Sequence, residues 1–179
     1  QEAVPVGQGS MAAILGTKID LIKEIINLNL KQNDICEIAN DNAEGQVIIS
    51  GKKESVERIE IALKEKKIKS IQLKVSAPFH CTLMKPAAEY MTNKINNIEF
   101  KIPKHKIISN VTADSITDPE TIKKLLIKQI YSSVKWRDSI LRMSKEKVRN
   151  FIEIGPGKVL TGMVKRTIKG ANCFSINSI

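Results

Sequence analysis

Residues 11–76 read MAAILGTKIDLIKEIINLNLKQNDICEIANDNAEGQVIISGKKESVERIEIALKEKKIKSIQLKVS, and the order of elements within them decides the fold. MAAILG is a compact apolar run ended by Gly16, the pattern of a buried strand. TKIDLIKEIINLNLKQ then places Ile19, Ile22 and Ile26 at helical spacing, with Thr17 in position to cap the helix. DICEIAN is a short strand, DNAEG a tight turn, and QVIISG a β-branched strand closed by Gly51. In KKESVERIEIALKEKK, Val56, Ile59 and Leu63 form an apolar helical stripe among charges. KSIQLKVS alternates Ile71, Leu73 and Val75 as a strand does. The order β-α-β-β-α-β is the ferredoxin-like arrangement.

Beyond residue 76 the pattern changes to longer helices alternating with single strands. Leu83, Met84, Ala87, Ala88, Met91 and Ile95 stripe a helix, and KIISNVTA reads as a strand. Asp118 and Pro119 take the N-cap and first positions of the helix PETIKKLLIKQIYSS. VKWRDSILRMSKEK is a further helix. RNFIEIGPGKVLTGMVKRTIKG gives strand, turn and helix, and NCFSINSI a last strand. Strands alternating with helices imply a parallel sheet. The fold class expected is therefore α/β with an α+β insert. It divides into a connecting segment, 1–10, a ferredoxin-like subdomain, 11–76, and the C-terminal part of an α/β-hydrolase-like parallel-sheet domain, 77–179. Two or three strands are few for a parallel sheet, so its remainder is expected N-terminal to Gln1.

The composition narrows the function. No apolar run among the 179 residues approaches the roughly 20 that a membrane span requires, and QEAVPVGQGS lacks the features of a secretory signal, so a soluble, cytoplasmic protein without membrane partners is expected. The three cysteines, Cys36, Cys81 and Cys173, show no CxxC spacing, which points to neither a disulfide framework nor a metal site. A net charge of +10 steers acidic partners to the surface. Nucleic acid is one candidate, and a basic α/β module of that kind is one alternative reading. Against it, aromatic residues make up only 4% of the chain and no groove-reading motif is present.

His80 draws attention because it follows the strand QLKVSAP and precedes a helix. That is the carboxyl end of a strand, where open α/β sheets form their ligand crevices. An imidazole there can act as a general base, its ordinary pKa lying near neutrality. A structural histidine is the alternative. His105, in the lysine-flanked PKHKI, carries no such signal. Gly155-Pro156-Gly157, between strand and helix, exposes amides that could hold an anion, or is a plain tight turn. No Gly-x-Ser-x-Gly elbow occurs in the sequence, so a nucleophile for His80 is not displayed within it.

Taken together, GQGSMAAILG, GQVIISG, SAPFHCTLMKPAAE, SNVTA, KQIYSSVKW and FIEIGPGKVLTGMVKR resemble, in order and spacing, the malonyl-CoA:acyl-carrier-protein transacylases of bacterial fatty-acid synthesis. The resemblance runs from Gln1 to the C-terminus and covers about the last three-fifths of such an enzyme. It implies an α/β domain carrying a serine nucleophile, with a ferredoxin-like subdomain inserted. It implies catalytic roles for His80, as general base, and for Gln129, whose main-chain carbonyl holds the histidine's far nitrogen. Phe79, just before the histidine, would favour malonyl over methylmalonyl groups, and Asn110 and the Gly-Pro-Gly turn would line or support the cleft. The serine and the arginine that binds the malonyl carboxylate are expected upstream of Gln1. The implied partners are malonyl-CoA and acyl carrier protein. No cofactor or metal is implied, since phosphopantetheine arrives on the carrier, and the enzyme is expected to be a monomer. A fragment or pseudo-enzyme that only docks the carrier protein is the main alternative.

Overall fold

The structure, a computed structural model, describes residues 3–177. Gln1 and Glu2, which open the expected connecting segment, lie outside the described residues. The first unit is built from β1 (Gly9–Leu15), α1 (Ile19–Asn29), β2 (Cys36–Ala43), β3 (Gln46–Lys52), α2 (Lys53–Glu65) and β4 (Lys69–Gln72). Its sheet runs β2-β3-β1-β4 with every neighbouring pair antiparallel, which is the ferredoxin-like topology expected from the sequence. Ile22, Ile25 and Ile26 of α1 and Val56, Ile59 and Leu63 of α2 are buried against one face. Ala12, Ile14, Val47 and Ile49 supply the sheet side of that core. Each such aliphatic side chain contributes about 1.5–3 kcal/mol when fully buried.

The other face is covered as well. Met11 and Ser50, cross-strand partners on it, are both buried. Gly51 is needed where β2 and β3 close up, because a Cβ there would sit 1.9 Å from the Ile35 carbonyl oxygen. Two local expectations are corrected. Thr17 does not cap α1, since the N-cap is Lys18 and no side chain bonds the free amides. The strand read over 69–76 spans only Lys69–Gln72, and Ile71 and Val75 are exposed. The chain makes one more bond to the ladder, Leu73 N–H to Met11 O, and then turns so that Pro78 lies on Gly9.

A 3-10 turn, Thr82–Met84, leads into α3 (Lys85–Asn96). The stretch read as a strand over 106–113 is mostly a turn. Only β5 (Ile107–Ile108) pairs, antiparallel, with β6 (Ser115–Ile116). Between them Ser109 Oγ accepts the Val111 amide and Thr112 Oγ1 the Asp114 amide, so short polar side chains draw the backbone out of the extended form. α4 (Pro119–Gln129) begins as expected, Asp118 accepting from the Thr121 amide with Pro119 behind it. α5 (Trp136–Lys145) follows, and then β7 (Asn150–Ile154), α6 (Val159–Thr167) and β8 (Asn172–Ile176). β7 and β8 pair in parallel across α6, a βαβ unit that matches the parallel-sheet portion of the expected class. Phe151 and Cys173 turn inward, toward the buried Ile140, Val164 and Ile168, while Ile152, Ile154 and Phe174 face solvent. No helix among the described residues is long and apolar enough to cross a membrane.

Candidate active site

The segment from Ala77 to Thr82 is held tightly. Ala77, Pro78 and Cys81 are buried, Phe79 N–H donates to Ala77 O at 3.1 Å, and the Cys81 thiol donates to Pro78 O at 3.1 Å. Burial raises the pKa of Cys81, and it pushes that of Cys36 up to about 12, so neither thiol is an activated nucleophile. His80, between these anchors, adopts φ +61°, a left-handed conformation rarely taken by a residue with a Cβ.

His80 Nδ1 lies 3.0 Å from the main-chain oxygen of Gln129. A carbonyl oxygen only accepts, so this hydrogen bond puts the proton on Nδ1 and leaves the Nε2 lone pair free. Gln129 is the last residue of α4, where carbonyls have no partner within the helix. Three bonds from the strap 134–135 and its neighbours pin the helix end: Val134 N–H donates to Ala39 O, Asp41 N–H to Val134 O, and Lys135 N–H to Asn110 O, each bond 2.8–3.0 Å long. This strap pairs Val134 beside Asn40 on the outer edge of β2.

Of the residues singled out in the sequence, His80 and Gln129 are therefore in direct contact. Asn110 joins Gln129 in lining a cavity of about 260 Å³, with Ile108, Ile122 and Leu125, and its carbonyl holds the strap. Phe79 packs, half-buried, on the cluster formed by Val4, Ala77 and Met84. His105 is exposed to solvent. The Gly155 amide of the Gly155-Pro156-Gly157 turn, and the Leu160 and Thr161 amides of the helix that follows it, already have acceptors within the chain. Glu153 already occupies the start of α6, accepting from Leu160 N–H at 3.1 Å and Thr161 N–H at 2.7 Å. The Thr161 amide bond is the main reason its carboxyl pKa is lowered. The turn is instead tied to β8, by Gly155 N–H to Ile176 O and Ser175 Oγ–H to Gly157 O. One residue that carried no signal in the sequence also reaches this region: Glu37 of β2 accepts from Thr82, two residues beyond the histidine.

The model of the acyl transferase domain family matches residues 3–178. Malonyl CoA-acyl carrier protein transacylase of Bacillus subtilis is 44% identical over 177 residues, which cover 98% of this chain and 56% of that protein. The Escherichia coli K12 protein of the same name is 38% identical over 178 residues, 99% of this chain and 57% of that protein. Among solved structures, an acyl carrier protein S-malonyltransferase from Vibrio cholerae superposes with a TM-score of 0.95 at 40% identity, covering 100% of this chain and 58% of that one. A malonyl-transacylase in complex with its type II PKS acyl-carrier protein superposes with a TM-score of 0.93 at 36% identity, covering 100% and 58%. The chain thus spans a little over half the length of the relatives it matches. On the match of the family model to nearly the whole sequence, with a fold in keeping with it, this chain belongs to the acyl transferase domain family.

Proposed function

We propose that the protein carrying this chain transfers a malonyl group from malonyl-CoA to the phosphopantetheine thiol of acyl carrier protein, through a serine acyl-enzyme. The observation that carries the reading is the His80 Nδ1 bond to the Gln129 carbonyl, which fixes the tautomer a general base needs. In the first half-reaction His80 Nε2 takes the proton of a serine contributed by residues before Gln1. The serine oxygen attacks the thioester carbon, the C–S bond breaks, and CoA leaves with the proton returned from Nε2. In the second, Nε2 takes the carrier thiol's proton, the thiolate attacks the acyl-serine ester, and the serine oxygen recovers the proton. A neutral carbonyl behind the imidazole stabilises the imidazolium less than a carboxylate does, which suits thioesters, more reactive than amides. Phe79 and Asn110 border the acyl site in this reading, phosphopantetheine enters only on the carrier, and the positive charge of the chain attracts an acidic carrier protein.

The test is transfer from malonyl-CoA to holo acyl carrier protein, followed by mass spectrometry of the carrier, using the protein that contains these residues and its His80→Ala variant. The wild type should malonylate the carrier, and the variant should be slower by roughly 10²–10⁴-fold. Equal rates would remove His80 from the chemistry. Carrier binding without transfer by the wild type would leave only a docking module.

A further inference from the structure

Five residues of β2, Glu37–Asp41, hold both partners of the His80–Gln129 hydrogen bond. On one side, Glu37 Oε2 accepts from Thr82 N–H at 3.2 Å and Oε1 from Thr82 Oγ–H at 2.5 Å. Thr82 opens the 3-10 turn and is two residues past His80. On the other side, Ala39 and Asp41 hold Val134, five residues past Gln129, through two main-chain bonds. This arrangement has a local cause. β2 is an edge strand, and its pairing with β3 is irregular between Ile38 and Asn40. The irregularity lets Glu37 face the histidine turn while the outer edge at Ala39–Asp41 stays open to the strap.

We propose that Glu37 is a positioning residue for His80, acting through Thr82, and that β2 thereby sets the distance between the imidazole and the Gln129 carbonyl; for catalysis this rests on the transacylase reading above. His80 needs such a hold. Its φ of +61° is an unfavourable conformation for a residue with a Cβ, so it persists only where the chain is fixed on both sides. Upstream the hold is Pro78 packed on Gly9 and the Cys81 thiol on the Pro78 carbonyl. Downstream it is the Thr82 turn, and the group that fixes this turn is a carboxylate 45 residues earlier in the chain. An ionised acceptor on an amide at the start of a turn makes one of the stronger hydrogen bonds available to a protein, and the hydroxyl adds a second.

The imidazole nitrogens of the 15N-labelled protein that contains these residues are recorded by NMR, with His80→Gln identifying the His80 ring by the signals it removes. The wild type should show His80 as the Nδ1–H tautomer with a slowly exchanging ring proton. Glu37→Ala and Thr82→Val should lose that signature, and Thr82→Ser, which keeps the hydroxyl, should restore it. In the transfer assay the two disruptive variants should lose roughly 10–100-fold in kcat with KM within about twofold, as expected when a reacting group is misplaced. Retention of the tautomer and of kcat in Glu37→Ala would overturn the proposal. Should that variant not fold, an undisturbed tautomer in Thr82→Val does the same. If the wild type transfers no malonyl group, the transacylase reading fails, and the NMR comparison still decides the role of Glu37.

Discussion

Gln129 meets His80 through its main-chain oxygen, 3.0 Å from Nδ1, and not through its amide side chain. The bond therefore survives any substitution at position 129 that keeps the end of α4. Gln129→Ala should retain kcat/KM for malonyl transfer within about threefold, well under 1 kcal/mol of transition-state stabilisation. A loss of a hundredfold would assign the amide a role of its own.

Phe79 sits next to His80 with its ring on Val4, Ala77 and Met84. If the ring also fills space that a branched acyl group would need, Phe79→Ala should lower the preference for malonyl-CoA over methylmalonyl-CoA by about 10–200-fold, the range that one methyl-sized contact supplies. Competition between the two thioesters in one reaction measures it. An unchanged ratio would make Phe79 a packing residue only.

Two glycines separate backbone necessity from backbone cost. At Gly51 a Cβ would meet the Ile35 oxygen at 1.9 Å and Cys36 Cα at 2.8 Å, and both are backbone atoms that cannot step aside. Gly51→Ala should destabilise by about 3 kcal/mol or more in urea unfolding. At Gly162, inside α6, no heavy atom beyond its chain neighbours and the helix's own nearby backbone lies within 4 Å of the added carbon among the described residues. Gly162→Ala should stabilise by about 0.5–1 kcal/mol. Similar effects at the two sites would contradict the packing at β2–β3.

The thiols supply a pH prediction. Burial holds Cys36 up to about 12 and raises Cys81 above its ordinary value, so both are protonated when the folded protein is near neutrality. Ellman's reagent at pH 8 should react promptly with one thiol of the native chain, Cys173, and with three after unfolding. A group whose pKa is raised by folding contributes stability that is complete below its unfolded value and is lost as pH rises toward the folded one. The urea midpoint should accordingly fall from about pH 9 upward toward 12. Cys36→Ala should flatten that limb.

Much of the first unit was legible because its elements are short and strongly patterned. Ile22 and Ile26 on α1, and Val56, Ile59 and Leu63 on α2, are buried at the spacing the sequence displays. The alternation of Ile71, Leu73 and Val75 misled, since alternation reports a possible strand and not whether a neighbour is there to pair with it; beyond Leu73 the chain departs to bring Pro78 onto Gly9. SNVTA misled for a different reason, its hydroxyls competing for the backbone. The sequence singles out His80 as following a strand QLKVSAP, but that strand ends at Gln72 and an irregular segment carries the chain on to the histidine; the resemblance supplied Gln129. Glu37 could not be found this way. Its partner Thr82 lies 45 residues on, and no periodicity within either segment encodes a bond between a strand edge and a distant turn.

The left-handed backbone of His80 sets activity against stability at a single position. A glycine there would relax the φ of +61° and relieve on the order of 1 kcal/mol of strain, so His80→Gly should unfold at a higher urea concentration than His80→Ala. It would also leave a ring-sized vacancy beneath the Gln129 carbonyl, open to small molecules from solution. Free imidazole at high concentration could then enter, donate to that carbonyl and serve as a diffusible base. Partial chemical rescue of His80→Gly would show that the pocket holds its shape without the side chain it was built around.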